Sequence, residues 1–225
     1  MSLLDSLSTQ IRTIFEEHPH RFFTEHDIHS ELARIATEYL MREGKLYAKT
    51  NDNNEVSRVH HEYPTPFRCD MRNYRFRVIT EREFDALRQK GFKTRARRGF
   101  LDLVVLNSDF CASNKLSVVS GKRYADVLAS LRGQKYPALD LAIEVVYHSS
   151  YDKKKHVGIM KRRVDSAKQD YDKLVTVRNP EYSGNKLFCK EAAMLFFSNT
   201  VHKDELNSLF DFSIEPRVSL LKFVY

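Results

Sequence analysis

What this chain has little of narrows its class first. Its three cysteines, Cys69, Cys111 and Cys189, are scattered, odd in number and not at metal-ligand spacing. They read as ordinary thiols of a reducing compartment, so the expected location is cytoplasmic. No apolar run approaches the roughly 20 residues that span a bilayer, and no membrane partner is expected. The N-terminal segment carries Asp5 and Arg12 without a small-residue cleavage site, which makes a poor signal peptide. No internal repeat or low-complexity tract is present.

What is there points to a packed, basic protein. A hydrophobic fraction of 42%, with 15 Phe and 11 Tyr, is ample for a core and argues against global disorder. At 225 residues the chain is one large domain, or one domain with an extension. A net charge of +7 and a pI near 9.2 favour a polyanionic partner, of which nucleic acid is the commonest.

Residues 3 to 17 have an apolar stripe of Leu4, Leu7, Ile11 and Ile14-Phe15 and predict a helix, broken by His18-Pro19-His20. Thr24, with Asp27 three residues on, opens a second helix whose apolar face is Ile28, Leu32, Ile35 and Tyr39. Val59 to Tyr63 predicts a short strand closed by Pro64 and Pro66. Helices are expected near 81–90, 123–131 and 204–210, and a long basic one over 157–175. Strands are expected at 192–197 and 218–225.

Two acids stand inside strongly apolar, strand-like runs. Asp102 lies in Gly99-Phe100-Leu101-Asp102-Leu103-Val104-Val105-Leu106, and Glu144 in Leu141-Ala142-Ile143-Glu144-Val145-Val146-Tyr147. Such runs read as strands buried on both faces, where an uncompensated charge costs several kcal/mol. One buried acid is readily paired with an arginine; two on neighbouring strands look more like a metal site. Positive charge is clustered beside both. Lys93, Arg95, Arg97 and Arg98 precede the first run, and Lys153, Lys154, Lys155, Lys161, Arg162 and Arg163 follow the second.

This order of elements, with these acids, resembles the PD-(D/E)XK, or restriction-endonuclease-like, nucleases over about residues 24–199. The resemblance implies an α/β fold with an αβββαβ core, a central mixed sheet flanked by helices. Residues 1–23 would be an N-terminal helical extension and 24–225 the nuclease-like domain, with insertions at about 67–95 and 107–138. It implies that Asp102 and Glu144 are metal ligands and that the first-helix glutamate is Glu31, less readily Glu38. His61-Glu62-Tyr63-Pro64 is similar to the first strand of such domains, and Asp170-Tyr171-Asp172-Lys173-Leu174 to the helix after the third.

The chemistry agrees with that assignment. Two carboxylates brought close repel, and Mg²⁺ or Mn²⁺ would remove that cost with hard oxygen ligands, the Val145 carbonyl among them. The expected activity is phosphodiester hydrolysis, in DNA first of all, with copies acting in pairs to cut both strands. Arg95, Arg97, Arg98, Lys153, Lys154, Lys155, Arg162 and Arg163 would hold the phosphate backbone.

One departure matters. The motif lysine should follow Glu144 by two residues, and that residue is Val146. Lys168, or else Lys161, on the following helix is the expected substitute, against the alternative that both are surface lysines. A degenerate domain that binds nucleic acid or a protein without cutting is the competing reading. A scaffold with both acids in structural ion pairs is a third. Glu62 reads as a solvent-facing strand residue. His26 and His29, one helical turn apart, could be plain polar residues or part of a zinc site, and His60 and His61 border the candidate site.

Overall fold

The computed structural model describes residues 2–18, 21–22, 24–70, 77–79, 81–91, 97–114, 136–150, 156–179, 188–200, 204 and 216–224. The chain begins with two capped helices, α1 (Leu3–Glu17) and α2 (Glu25–Arg42). Each opens with a reciprocal capping box, Ser2 with Asp5 and Thr24 with Asp27, which satisfies N–H groups the helix cannot bond itself. The end of α2 is equally defined. Gly44 adopts φ +64°, the Lys45 N–H donates to the Leu40 carbonyl at 2.7 Å and the Gly44 N–H to Met41 at 3.0 Å. That is the Schellman pattern, and glycine suits it because a Cβ disfavours positive φ.

A small antiparallel pair follows, β1 (Tyr47–Lys49) and β2 (Glu55–Ser57). The rest is built on one six-stranded sheet. Its strands are β3 (Val59–Asp70), β4 (Arg77–Ile79), β5 (Arg97–Leu106), β6 (Leu139–Ser150), β7 (Cys189–Thr200) and β8 (Ser219–Val224). The order is β4-β3-β5-β6-β7-β8. Pairing is antiparallel from β4 to β6 and parallel from β6 to β8, so the sheet is mixed. Between the strands lie α3 (Glu81–Gln89), α4 (Ser108–Ser113) and the long α5 (His156–Val177).

Helices cover both faces because β5, β6 and β7 are apolar on both. On one face Val164, Ala167, Tyr171, Leu174 and Val177 of α5 pack on Val104, Ala142, Val146, Met194 and Phe196. On the other, Leu7, Ile11 and Phe15 of α1 and Ile28, Leu32 and Ile35 of α2 pack on Leu103, Ile143, Val145, Leu195 and Phe197. Helix α1 is thus built into the same core as α2. Fully burying such a side chain contributes about 1.5–3 kcal/mol, so neither layer is dispensable.

One sequence expectation needs correction. Strand β3 does not stop at Tyr63 but runs through both prolines to Asp70. Its pairing with β5 is irregular between Pro64 and Arg68, where prolines, lacking an N–H, remove no regular ladder bond. The polar stretch 50–54 is the turn of the β1–β2 hairpin. The expected helix at 123–131 lies outside the described residues, as does the one near 204–210 apart from Asp204.

Candidate functional site at a fork between strands

The pairing of β5 with β6 ends at Leu103 and Ile143, although both strands continue past that point. Beyond it, β5 stays with β3 as far as Arg97, and β6 stays with β7 as far as Ser150. The sheet therefore forks, with Asp102 as the next residue on one prong and Glu144 as the next on the other. Strict alternation also slips here, since Leu101 packs in the same layer as Val104 and Leu106 rather than with Leu103. Between the β3–β5 pairs on either side, Asp102 falls opposite Glu62, which has φ +48°. A non-glycine residue held there costs of order 1–3 kcal/mol, and such strain tends to mark functional sites.

A fork leaves β6 N–H groups without strand partners, and carboxylates take their place. The Val145 N–H donates to Asp102 Oδ2 at 2.8 Å, and the Tyr147 N–H donates to Glu25 Oε2 of α2 at 3.2 Å. Hydrogen bonds to charged groups contribute about 1.5–3 kcal/mol each.

On the α5 side Glu144 is 1% exposed and meets Lys173, whose Nζ lies 2.8 Å from Glu144 Oε1. The same ammonium forms an ion pair with Asp170 Oδ1 at 3.2 Å and donates a hydrogen bond to the Phe100 carbonyl at 2.7 Å. On the α2 side His29 Nε2 lies 3.5 Å from Asp102 Oδ2.

Burial pushes Glu144 well above the ordinary carboxylate range, more than the nearby Lys173 can offset. Burial likewise raises Asp170 and Glu25. Burial also pushes Asp102 upward, but the His29 imidazole and the Val145 N–H outweigh it and the net shift is downward. Burial disfavours His29 as a cation, yet Asp102 and Glu25 raise it overall. Lys173 is raised despite its burial, because Glu144 and Asp170 hold it charged. The set thus gathers four carboxylates, Glu25, Asp102, Glu144 and Asp170, around one lysine and one histidine. With all four ionised, the histidine protonated and Arg163 within electrostatic reach of Glu25, negative charge is in excess by one.

That excess is what a divalent cation with oxygen ligands would remove, so the residues present fit Mg²⁺ or Mn²⁺. Asp102 and Glu144 would hold it. In an extended strand one residue's N–H and C=O point to the same edge, so the Val145 carbonyl also faces the fork. Among the described residues no three His, Cys, Asp or Glu side chains are already drawn together at metal-ligand spacing.

The expected site residues do not all meet at the fork. Asp102, Glu144 and Val145 come together. Lys161 and Lys168 do not join them: both are exposed on α5, and Lys168 acts electrostatically on Asp172 instead. Glu31 is also elsewhere, bound to Arg21 at 3.4 Å and Arg34 at 2.7 Å, with Glu38 on the same Arg34. The α2 carboxylate at the fork is Glu25, because α2 turns its first two turns, not its middle, toward the end of the β5–β6 pairing. Arg162 and Arg163 are exposed on α5, and Arg163 lies within electrostatic reach of Glu25. Arg97 and Arg98 begin β5, while Lys93, Arg95 and Lys153, Lys154 and Lys155 lie outside the described residues. Glu62 is exposed as expected, though His29 feels its charge. His60 Nε2 is engaged with the Ser57 carbonyl at 2.7 Å.

Sequence reasoning missed Lys173, Asp170 and Glu25, and gave His29 no place at this site. The signal for the first two was an Asp and a Lys three apart around the buried Tyr171. The signal for the others was Glu25 and His29 four apart, on one side of α2. Comparison with protein-family models, with curated proteins and with solved structures gives no match to this chain.

Proposed function

We propose that this chain is a metal-dependent nuclease of the restriction-endonuclease-like class, acting on DNA. The observation that carries the reading is the meeting of Asp102 and Glu144 at the fork, with the Lys173 amine 2.8 Å from Glu144. Lys173 then supplies from α5 the amine that Val146 cannot supply from β6. When bound, Mg²⁺ or Mn²⁺ would lower the pKa of an attacking water and neutralise charge on a phosphodiester oxygen. Asp102 and Glu144 hold their positions through the Val145 N–H and Lys173. Lys173, charged and anchored on the Phe100 carbonyl, orients a water or a phosphate oxygen by donating a proton to it. The exposed Arg162 and Arg163 and the basic start of β5 would track the phosphate backbone.

A second reading has its own observation. The Glu144–Lys173–Asp170 set is already closed by internal pairing, as a domain that binds without cutting would have it. The test is cleavage of supercoiled plasmid, single-stranded DNA and RNA with Mg²⁺ or Mn²⁺. The parent is compared with Asp102→Ala/Glu144→Ala and with Lys173→Met, all checked for folding. Cleavage by the parent, down at least about 10²-fold in both variants, supports the nuclease. Salt-sensitive binding without cleavage by any of them supports the second reading. Equal cleavage by all three rejects this site.

A further inference from the structure

We infer that His29 is a nitrogen donor to the same cation that Asp102 and Glu144 hold, and that the centre therefore takes Mn²⁺ in preference to Mg²⁺. The inference rests on the metal-dependent reading above and adds to it a ligand and an ion preference.

Three observations carry it. First, His29 Nε2 is buried and makes no regular hydrogen bond, only a long ion pair with Asp102. Buried side-chain nitrogens in folded proteins nearly always have a well-formed hydrogen bond, so one left with only a long contact needs an explanation. Second, it lies 3.5 Å from Asp102 Oδ2. That exceeds the 2.7–3.2 Å of an ordinary N–H···O bond. It suits two donors sharing one ion, because metal–ligand distances of about 2.1 Å place neighbouring donors roughly 3.0–3.5 Å apart. Third, the stretch of α2 that carries the imidazole is fixed. Ile28 and Leu32 are fully buried against the sheet, and Glu25, one turn earlier, is tied to the Tyr147 N–H. Helix α2 therefore presents His29 to the fork as a rigid part. Asp102 sits between the two sides and feels the charge of both His29 and Lys173.

An imidazole among the ligands changes which ion is preferred. Mg²⁺ takes oxygen donors and gives up its waters reluctantly, whereas first-row transition ions bind nitrogen increasingly well along the series.

The experiment is Mn²⁺ and Mg²⁺ binding to the full chain without nucleic acid, by calorimetry. Pulsed electron paramagnetic resonance of the Mn²⁺ complex is added to detect a directly bound ¹⁴N. The parent is expected to bind Mn²⁺ about 10-fold or more tighter than Mg²⁺ and to show imidazole ¹⁴N coupling. His29→Gln, which keeps a polar side chain on α2, should lose the coupling and about 10-fold in Mn²⁺ affinity. Its Mg²⁺ affinity should stay within about 3-fold. Asp102→Asn should weaken both ions.

Mn²⁺ that binds through Asp102 but shows no ¹⁴N coupling in the parent would overturn the role of His29 and leave the metal reading intact. Coupling that persists in His29→Gln would overturn it too, assigning the nitrogen to another side chain. If the parent binds neither ion, the metal-dependent reading itself falls, and this inference with it. The spectrum of the parent requires no variant to fold.

Discussion

Strand β6 carries two acids four residues apart, Asp140 and Glu144, and their surroundings differ in the balance of charge. Asp140 meets two cations, Arg58 and the Lys190 ammonium at 2.6 Å, and accepts from Asn107 Nδ2 at 2.7 Å. Arg58 uses its other donors on the Leu106 carbonyl at 2.7 Å and the Lys45 carbonyl at 2.9 Å. That end is a closed structural knot, where the β5–β6 ladder finishes and β3 begins. Around Glu144 one lysine serves three carboxylates, Glu144, Asp170 and Asp102. Buried charges that are balanced and hydrogen-bonded hold a fold together; buried charges in excess of one sign call for an ion from outside. The same strand thus has a sealed end and an open end.

Breaking each end should separate the two roles. Lys173→Met leaves Glu144 buried without its cation, a loss expected to cost about 3–5 kcal/mol in urea unfolding. Adding Glu144→Gln to it should restore most of that stability, because removing both partners leaves no buried charge there. Arg58→Met should cost a similar amount, about 3–5 kcal/mol, yet leave Mn²⁺ affinity unchanged. A fall in Mn²⁺ affinity in folded Arg58→Met would contradict the separation.

Saturating Mn²⁺ should stabilise the parent by about 2.7 kcal/mol at 100 times the dissociation constant. Thermal melts should show this gain in the parent and in Arg58→Met, and none in Asp102→Asn.

The open end should also be visible in the pH dependence of stability. Glu144, Asp170 and Glu25 have pKa values raised above their unfolded values, and so does His29. Each binds more protons folded than unfolded, so stability is highest at low pH and falls as pH rises through the raised values. Asp102 is shifted down, and its contribution is lost only in acid below the ordinary carboxylate range. The ion-free protein should therefore unfold in less urea at about pH 7.5 than at about pH 5, and Mn²⁺ should reduce the difference. A flat or rising profile, with the protein folded throughout, would contradict the excess of buried negative charge.

The smallest effect is expected at the middle of α2. Arg34→Ala frees Glu31 and Glu38 but removes half-exposed pairs, which contribute about 0–1 kcal/mol. Glu31→Gln should leave cleavage unchanged where Glu25→Gln lowers it, and an equal effect of the two would put Glu31 back in the site.

Much of the framework was legible from residues alone. Ser2, Asp5, Thr24 and Asp27 are cap signals whose bonds close within three residues, so α1 and α2 begin where local chemistry says they should. β5 and β6 stood out because few other segments are apolar without period. β3 was cut short because Pro64 and Pro66 read as stops, whereas an irregular ladder tolerates them. The substitute lysine was sought along the edge of the α5 stripe at Lys161 and Lys168. Lys173 lies instead within the buried face, where a lysine is expected only if acids await it.

The sequence by itself determined that two acids would be buried in central strands, that positive charge would flank them, and that α1, α2, α3 and α5 would be helical. These follow from local periodicity, capping and composition. Only the tertiary structure decided that β5 and β6 part company at Asp102 and Glu144, that Glu25 and His29 rather than Glu31 face the gap, and that Lys173 answers Glu144. The bonds that do this join residues 43, 73 and 122 positions apart, Asp102 to Val145, Phe100 to Lys173 and Glu25 to Tyr147. Such partners are selected by where strands diverge and how a helix lies across them, and no local pattern in the chain encodes that.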